Sequence, residues 1–201
     1  MKKIAFIIVL AIGFSSFTSV HTDNFKIDTQ KSNVKWVGSK ISGASHEGNI
    51  SITEGIISIN NGKMVDAEFI VDLNTITCTD LKGEKAAYLV DHLKNEDFFD
   101  VPNHPQARLK LIKASKTETG YSISAALTIK DKTQPIVFDV EWTLRGTAAL
   151  ASGKLIFDRT KFDITYGSGS FFEDLADRAI NDEVSLEFRV MLNLEDNGKH
   201  N

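Results

Sequence analysis

The sequence holds one cysteine, Cys78. No disulfide can form within the chain, so stability has to come from burial and backbone pairing. Flanked by Thr77 and Thr79, Cys78 reads as a small buried apolar filler. A lipid-anchored start, which needs a cysteine at the cleavage point, is not expected. Basic charge is also short: 23 Lys and Arg stand against 27 Asp and Glu, a net charge of −4. Residues 1–22 carry two lysines and no acid, so the remainder stands at −6 once those two positive charges are set aside. Phosphate binding needs clustered Lys and Arg, which excludes nucleic acid as a partner. Long hydrophobic runs are missing too. The stretch from Ile4 to Phe14 is shorter than the about 20 residues a membrane span requires, and no second one follows.

Several signatures of chemistry are equally missing. There is no nucleophile-elbow serine, no CxxC pair and no dinucleotide glycine fingerprint. His46-Glu47-Gly48 does not continue into the second histidine of a zinc-protease helix, and no two histidines have metal-ligand spacing. Neither a metal nor a cofactor is expected, and the chain reads as a non-enzyme. No repeat or linker divides it.

What is present begins with an export signal. Lys2 and Lys3 precede the apolar run, and Ser15, Ser16, Thr18 and Ser19 follow it, the order of a secretory signal peptide. We expect a signal peptide over residues 1–22, a domain over 23–195, a disordered tail over 196–201, and a periplasmic or secreted location. The mature start is expected between Ser19 and Asn24.

Period-two alternation dominates the domain. Val184, Leu186, Phe188, Val190, Leu192 and Leu194 alternate with Ser185, Glu187, Arg189, Met191 and Asn193, which puts one face of a strand in an apolar interior. The pattern recurs around Val34 and Trp36, over 67–73, 123–129 and 136–144, and more weakly over 50–59, 107–111 and 154–157. Asn60-Asn61-Gly62, Glu118-Thr119-Gly120, Lys130-Asp131-Lys132 and Gly146 supply turns between them. Sequential antiparallel hairpins follow, forming a sandwich or a closed barrel. Two segments break the pattern. From Asp80 to Lys94, residues Lys85, Tyr88, Leu89, His92 and Leu93 recur at helical spacing in one stripe. A second short helix is expected over Phe171 to Ala179, after the Gly-Ser loop.

Three motifs carry a resemblance. The segment from Asp91 to Pro105, with His92, Phe98 and Pro102, resembles the helix-to-strand signature of the YceI-like, polyisoprenoid-binding family. The hairpin from Leu127 to Ile136 and the run Arg159-Thr160-Lys161-Phe162-Asp163-Ile164 are similar to two further motifs of that family, in its order. Asp131 departs from it, standing where a turn glycine is usual, and Gly167 to Ala179 reads as an insertion. The resemblance implies an all-β fold, a lipocalin-like extended eight-stranded antiparallel barrel with one or two short helices at its openings. It also implies an isoprenoid-type lipid partner, a polyprenyl phosphate or a quinone, inside the barrel.

Taken alone, Trp36, Phe69, Phe138, Trp142, Phe157, Phe162 and Phe188 read as a packed core. With the resemblance they become candidate ligand-binding residues of the interior, and trimming Phe138 would then cost little stability. Ser168, Gly169 and Ser170 form a candidate head-group site, because free N–H groups entering a helix can cradle a phosphate or carbonyl. His92 reads as structural. Two alternatives stay open: an enzyme using His92 with Asp91 or Glu96, and a ligand-free protein with a solid core. The sequence leaves a homodimer open as well.

Overall fold

The structure, a computed structural model, describes residues 22–195. The expected signal peptide, apart from Thr22, and the expected tail lie outside the described residues. Nine strands follow one another: β1 (Thr22–Ile27), β2 (Asn33–Ser39), β3 (Ser45–Asn60), β4 (Lys63–Asp72), β5 (Gln106–Lys116), β6 (Gly120–Ile129), β7 (Lys132–Arg145), β8 (Ala148–Asp158) and β9 (Glu183–Leu194). One helix, α1 (Glu84–Lys94), lies between β4 and β5.

Each strand pairs antiparallel with its sequence neighbour from β2 to β9, and β9 returns to pair with β2, which closes the sheet. β1 adds no ninth position. Its Phe25 opposes Ile57 of β3 and Leu194 of β9, whereas Val34 of β2 opposes Ile50 and Phe188 of the same two strands. β1 and β2 are therefore one barrel strand interrupted at 28–32. Ser32 bridges the break, its hydroxyl donating to Asp28 O and accepting from the Met191 amide. The result is the eight-position antiparallel barrel that the resemblance implied, closed by the return of β9 to β2.

Alternation explains the strands. On β6, Tyr121, Ile123, Ala125, Leu127 and Ile129 are buried while the residues between them stay partly exposed. The hairpins rest on left-handed turn residues, Asn61 and Gly62 (φ 48° and 73°) and Lys130 and Asp131 (φ 48° and 60°). Asp131 takes the turn conformation without being glycine, as a short polar side chain can.

The helices differ from expectation. α1 begins at Glu84, not Asp80, because the Asp80 carboxylate is engaged by the His46 ring and the Glu47 amide and Gly83 turns the chain at φ 59°. The second expected helix, Phe171 to Ala179, does not form. Only a 3₁₀ turn, Ala176–Arg178, occurs there, since Asp174 sits at φ 63° and Ala176, where that turn starts, at φ 44°, outside the α-helical region. Cys78 is half-buried rather than buried and donates to Asp80, while burial pushes its thiol pKa up.

Between β4 and α1 the chain runs as a strap along the first half of β3. The amides of Thr77 and Thr79 donate to Asn49 O and Glu47 O, and the Thr75 hydroxyl receives the Ser51 amide. The strap thus covers the part of β3 that β4 does not reach. Gly48 permits it, because a Cβ there would lie 1.7 Å from Thr77 O.

Candidate ligand-binding site

At the end of the barrel where α1 lies, a cavity of about 960 Å³ opens inside the strands. Its walls include Val34 and Trp36 of β2, Ile50 of β3, Leu127 of β6 and Phe157 of β8. Its roof is α1. All five residues of the apolar stripe, Lys85, Tyr88, Leu89, His92 and Leu93, line it. Every residue of α1 keeps some exposure, and Tyr88 is 73% exposed. An amphipathic helix normally buries such a stripe against protein. Here the stripe covers open apolar space.

Local contacts hold that arrangement. The Trp36 indole donates to Thr77 O at 2.9 Å, so the wall is tied to the strap and the indole N–H is satisfied. Asp80 closes the strap from beneath. Burial pushes its carboxyl up, but hydrogen bonds from the Glu47 amide, His46 and Cys78 outweigh this and hold it at about 2. At the other end of the roof, His92 lies edge-on to Tyr166 and Phe98, at 4.6 and 5.0 Å between ring centres, and Nε2 is 3.2 Å from Asp97. Asp91 and Glu96, its expected partners in an enzyme, are exposed and outside the lining.

Arg159 is the buried cation of the wall, 2% exposed. Its Nε donates to Asn181 O, Nη1 to Ile164 O and Tyr166 O, and Nη2 to Ile180 O, with Asp182 3.6 Å away. Burial lowers its pKa, and Asp182 and Asp158 oppose that. Four of its five N–H groups are thus committed to holding the loop from 164 to 181 against the barrel. The exposed side chains Lys40, Lys85 and Arg178 also line the cavity, against one carboxylate, Glu84.

The structure divides the seven aromatic candidates. Trp36 and Phe157 line the cavity; Phe69, Phe138, Trp142, Phe162 and Phe188 are outside its lining. Phe138 and Phe188 stack edge-to-face at 5.9 Å, and Trp142 packs between Phe25 and Tyr121. Phe162, 1% exposed, stands against Phe157. There β7 and β8 diverge: they pair only from Val140 to Arg145, and the 3₁₀ turn Arg159–Phe162 packs beside β7 through Gln134 and Lys132.

Ser168, Gly169 and Ser170 are likewise outside the lining. The expected helix N-terminus is missing. Ser168 is fully buried, its carbonyl accepts from the Phe171 and Phe172 amides, its hydroxyl accepts from the Ser170 amide, and the Ser170 hydroxyl donates to Asp182. These groups are spent on the turn itself. The roof and the rim cations were not singled out as site residues in the sequence. The available signal was a stripe on α1 that mixes Lys85 and His92 with leucines, polar groups a fully buried face would not carry.

Among the described residues, no cluster of His, Cys, Asp and Glu could hold a metal ion, and no helix is long and apolar enough to cross a membrane. BcnA of Burkholderia cenocepacia has a similar structure, with a TM-score of 0.64 at 23% identity, over 82% of this chain and 98% of that one. A polyisoprenoid binding domain from Saccharophagus degradans superposes with a TM-score of 0.60 at 14% identity, over 85% and 98% of the two chains. The Campylobacter jejuni YCEI protein gives 0.56 at 15%, over 71% and 81%. At such identities these likenesses speak to the fold alone. No curated protein sequence matches. The model of the YceI-like domain matches residues 25–192, from the first strand of the barrel to the last, and the chain belongs to that family.

Proposed function

We propose that the protein is an exported lipid-binding protein that holds an isoprenoid chain in the cavity under α1 and carries or protects it. The observation that carries this reading is the roof: an apolar helical stripe with open apolar space beneath it, which a lipid would fill. Burying a methylene contributes about 0.8 kcal/mol, so a branched hydrocarbon tail needs no specific polar contact to bind. The polyisoprenoid-binding domain among the similar structures supports the same ligand class. Lys40, Lys85 and Arg178 on the open side favour an anionic head, which places a polyprenyl phosphate ahead of a quinone. Export rests on Lys2, Lys3 and the apolar run that follows them.

The test is organic extraction of protein purified from its native host, followed by mass spectrometry and thermal melting. A long isoprenoid in the extract and a lower Tm after extraction are expected, since a ligand that binds only the folded state stabilises it by mass action. Protein that yields no lipid and melts identically before and after extraction overturns the reading. N-terminal sequencing of the exported form should begin between Ser19 and Asn24.

A further inference from the structure

The cavity ends on a floor partway along the barrel. Inward positions on a strand recur every second residue. Leu186 of β9 lines the cavity, but Phe188, the next inward position, does not and is stacked on Phe138. Val71 of β4 lines it, but Phe69 does not. Two glycines make room for these rings. Gly153 pairs with Phe188, and a Cβ there would lie 2.8 Å from the Phe188 Cζ. Gly55 pairs with Phe69, and a Cβ there would lie 2.5 Å from the Phe69 Cδ1. Each ring lies over the bare backbone of the neighbouring strand, and the two come from β4 and β9, strands that do not pair with each other.

We infer that Phe69, Phe138 and Phe188 set the length of the lipid chain the protein accepts. The inference rests on the lipid-binding reading and adds a selectivity to it. A tail entering under α1 strengthens binding about fourfold with each buried methylene until its end meets the floor. Carbons beyond that length stay at the mouth, in water, and add nothing. Affinity plotted against chain length therefore rises and then levels, and the levelling point reports the depth of the floor.

Lipid-stripped protein is titrated with geraniol, farnesol, geranylgeraniol and solanesol, for wild type, Phe188→Leu and Ala107→Phe. Ala107 is a buried, cavity-lining residue of β5, so added bulk there raises the floor. The expected result is levelling at a longer prenol in Phe188→Leu and at a shorter one in Ala107→Phe. If Phe188→Leu fails to fold, Phe138→Leu takes its place. Identical levelling points in wild type and folded variants overturn the floor while leaving lipid binding intact. No binding of any prenol to wild type overturns the lipid reading itself, and the floor with it.

Discussion

The two halves of the barrel are built from the same alternating strands and end up in opposite states. Away from α1 the interior is solid: Ala125 and Ala149 are 1% exposed, Leu192 is fully buried, and Phe25, Tyr121 and Trp142 interlock. Under α1 the interior is open, although Trp36, Leu127, Phe157 and Leu186 line it. The difference lies in what closes each end. Tight hairpins at Asn61-Gly62 and Gly146 close the solid end, so facing side chains meet across a narrow space. The long connections from 73 to 105 and from 159 to 182 close the other, and they hold α1 away from the strands. An apolar lining makes a core only where the backbone lets opposite walls touch.

Substitutions in the two halves should therefore differ in size and in their response to lipid. The largest effect is expected from Phe138→Ala, which leaves a void in the solid half and should cost about 3–5 kcal/mol in urea unfolding of the lipid-free protein. The sequence pointed the other way, to a small cost at Phe138, because it placed this ring in a ligand tunnel. A lipid-free cost as small as that of a surface substitution would break the division between the halves.

Gly48→Ala comes next. It drives a methyl group into Thr77 O and should lift the strap from β3, at about 1–3 kcal/mol in the same measurement. Loosening the strap also frees Trp36, so its fluorescence should shift to the red. Leu89→Ala, in the roof, should cost only about 0.5 kcal/mol in the stripped protein, as at a surface position. Its effect should appear in the lipid-loaded form, as a smaller gain in Tm on loading than wild type shows.

The last effect is read through pH. Asp80 is held at about 2, below the about 3.9 of an unfolded aspartate. A lowered folded-state value adds stability that is complete above the unfolded value and is lost as pH falls through the folded one. The Tm difference between wild type and Asp80→Asn should be constant above about pH 4 and vanish towards about pH 2. A difference that persists at the acid end would show that the strap is held by something other than the Asp80 charge.

Much of this was legible in the chain. Strict alternation on β6 and β9, the hairpin turns and the stripe on α1 are local patterns, and each became the element it indicated. The first strand was missed because Thr22–Ile27 is too short to show a period. The helix over 171–179 was expected from composition, but left-handed residues at 174 and 176 and the hydrogen bonds to Ser168 prevented it. Among the aromatic candidates, inward direction was legible and depth was not.

The sequence by itself determined which side chains face inward, where the chain turns, and that one helix carries a mixed apolar stripe, because these follow from periods of two and 3.6 residues. Only the tertiary structure decided that β1 and β2 share one barrel strand, that Arg159 is consumed by loop carbonyls, and that Trp36 borders a cavity while Trp142 is core. Those outcomes depend on the register between strands distant in the chain and on how far α1 stands above them. No local pattern encodes either distance.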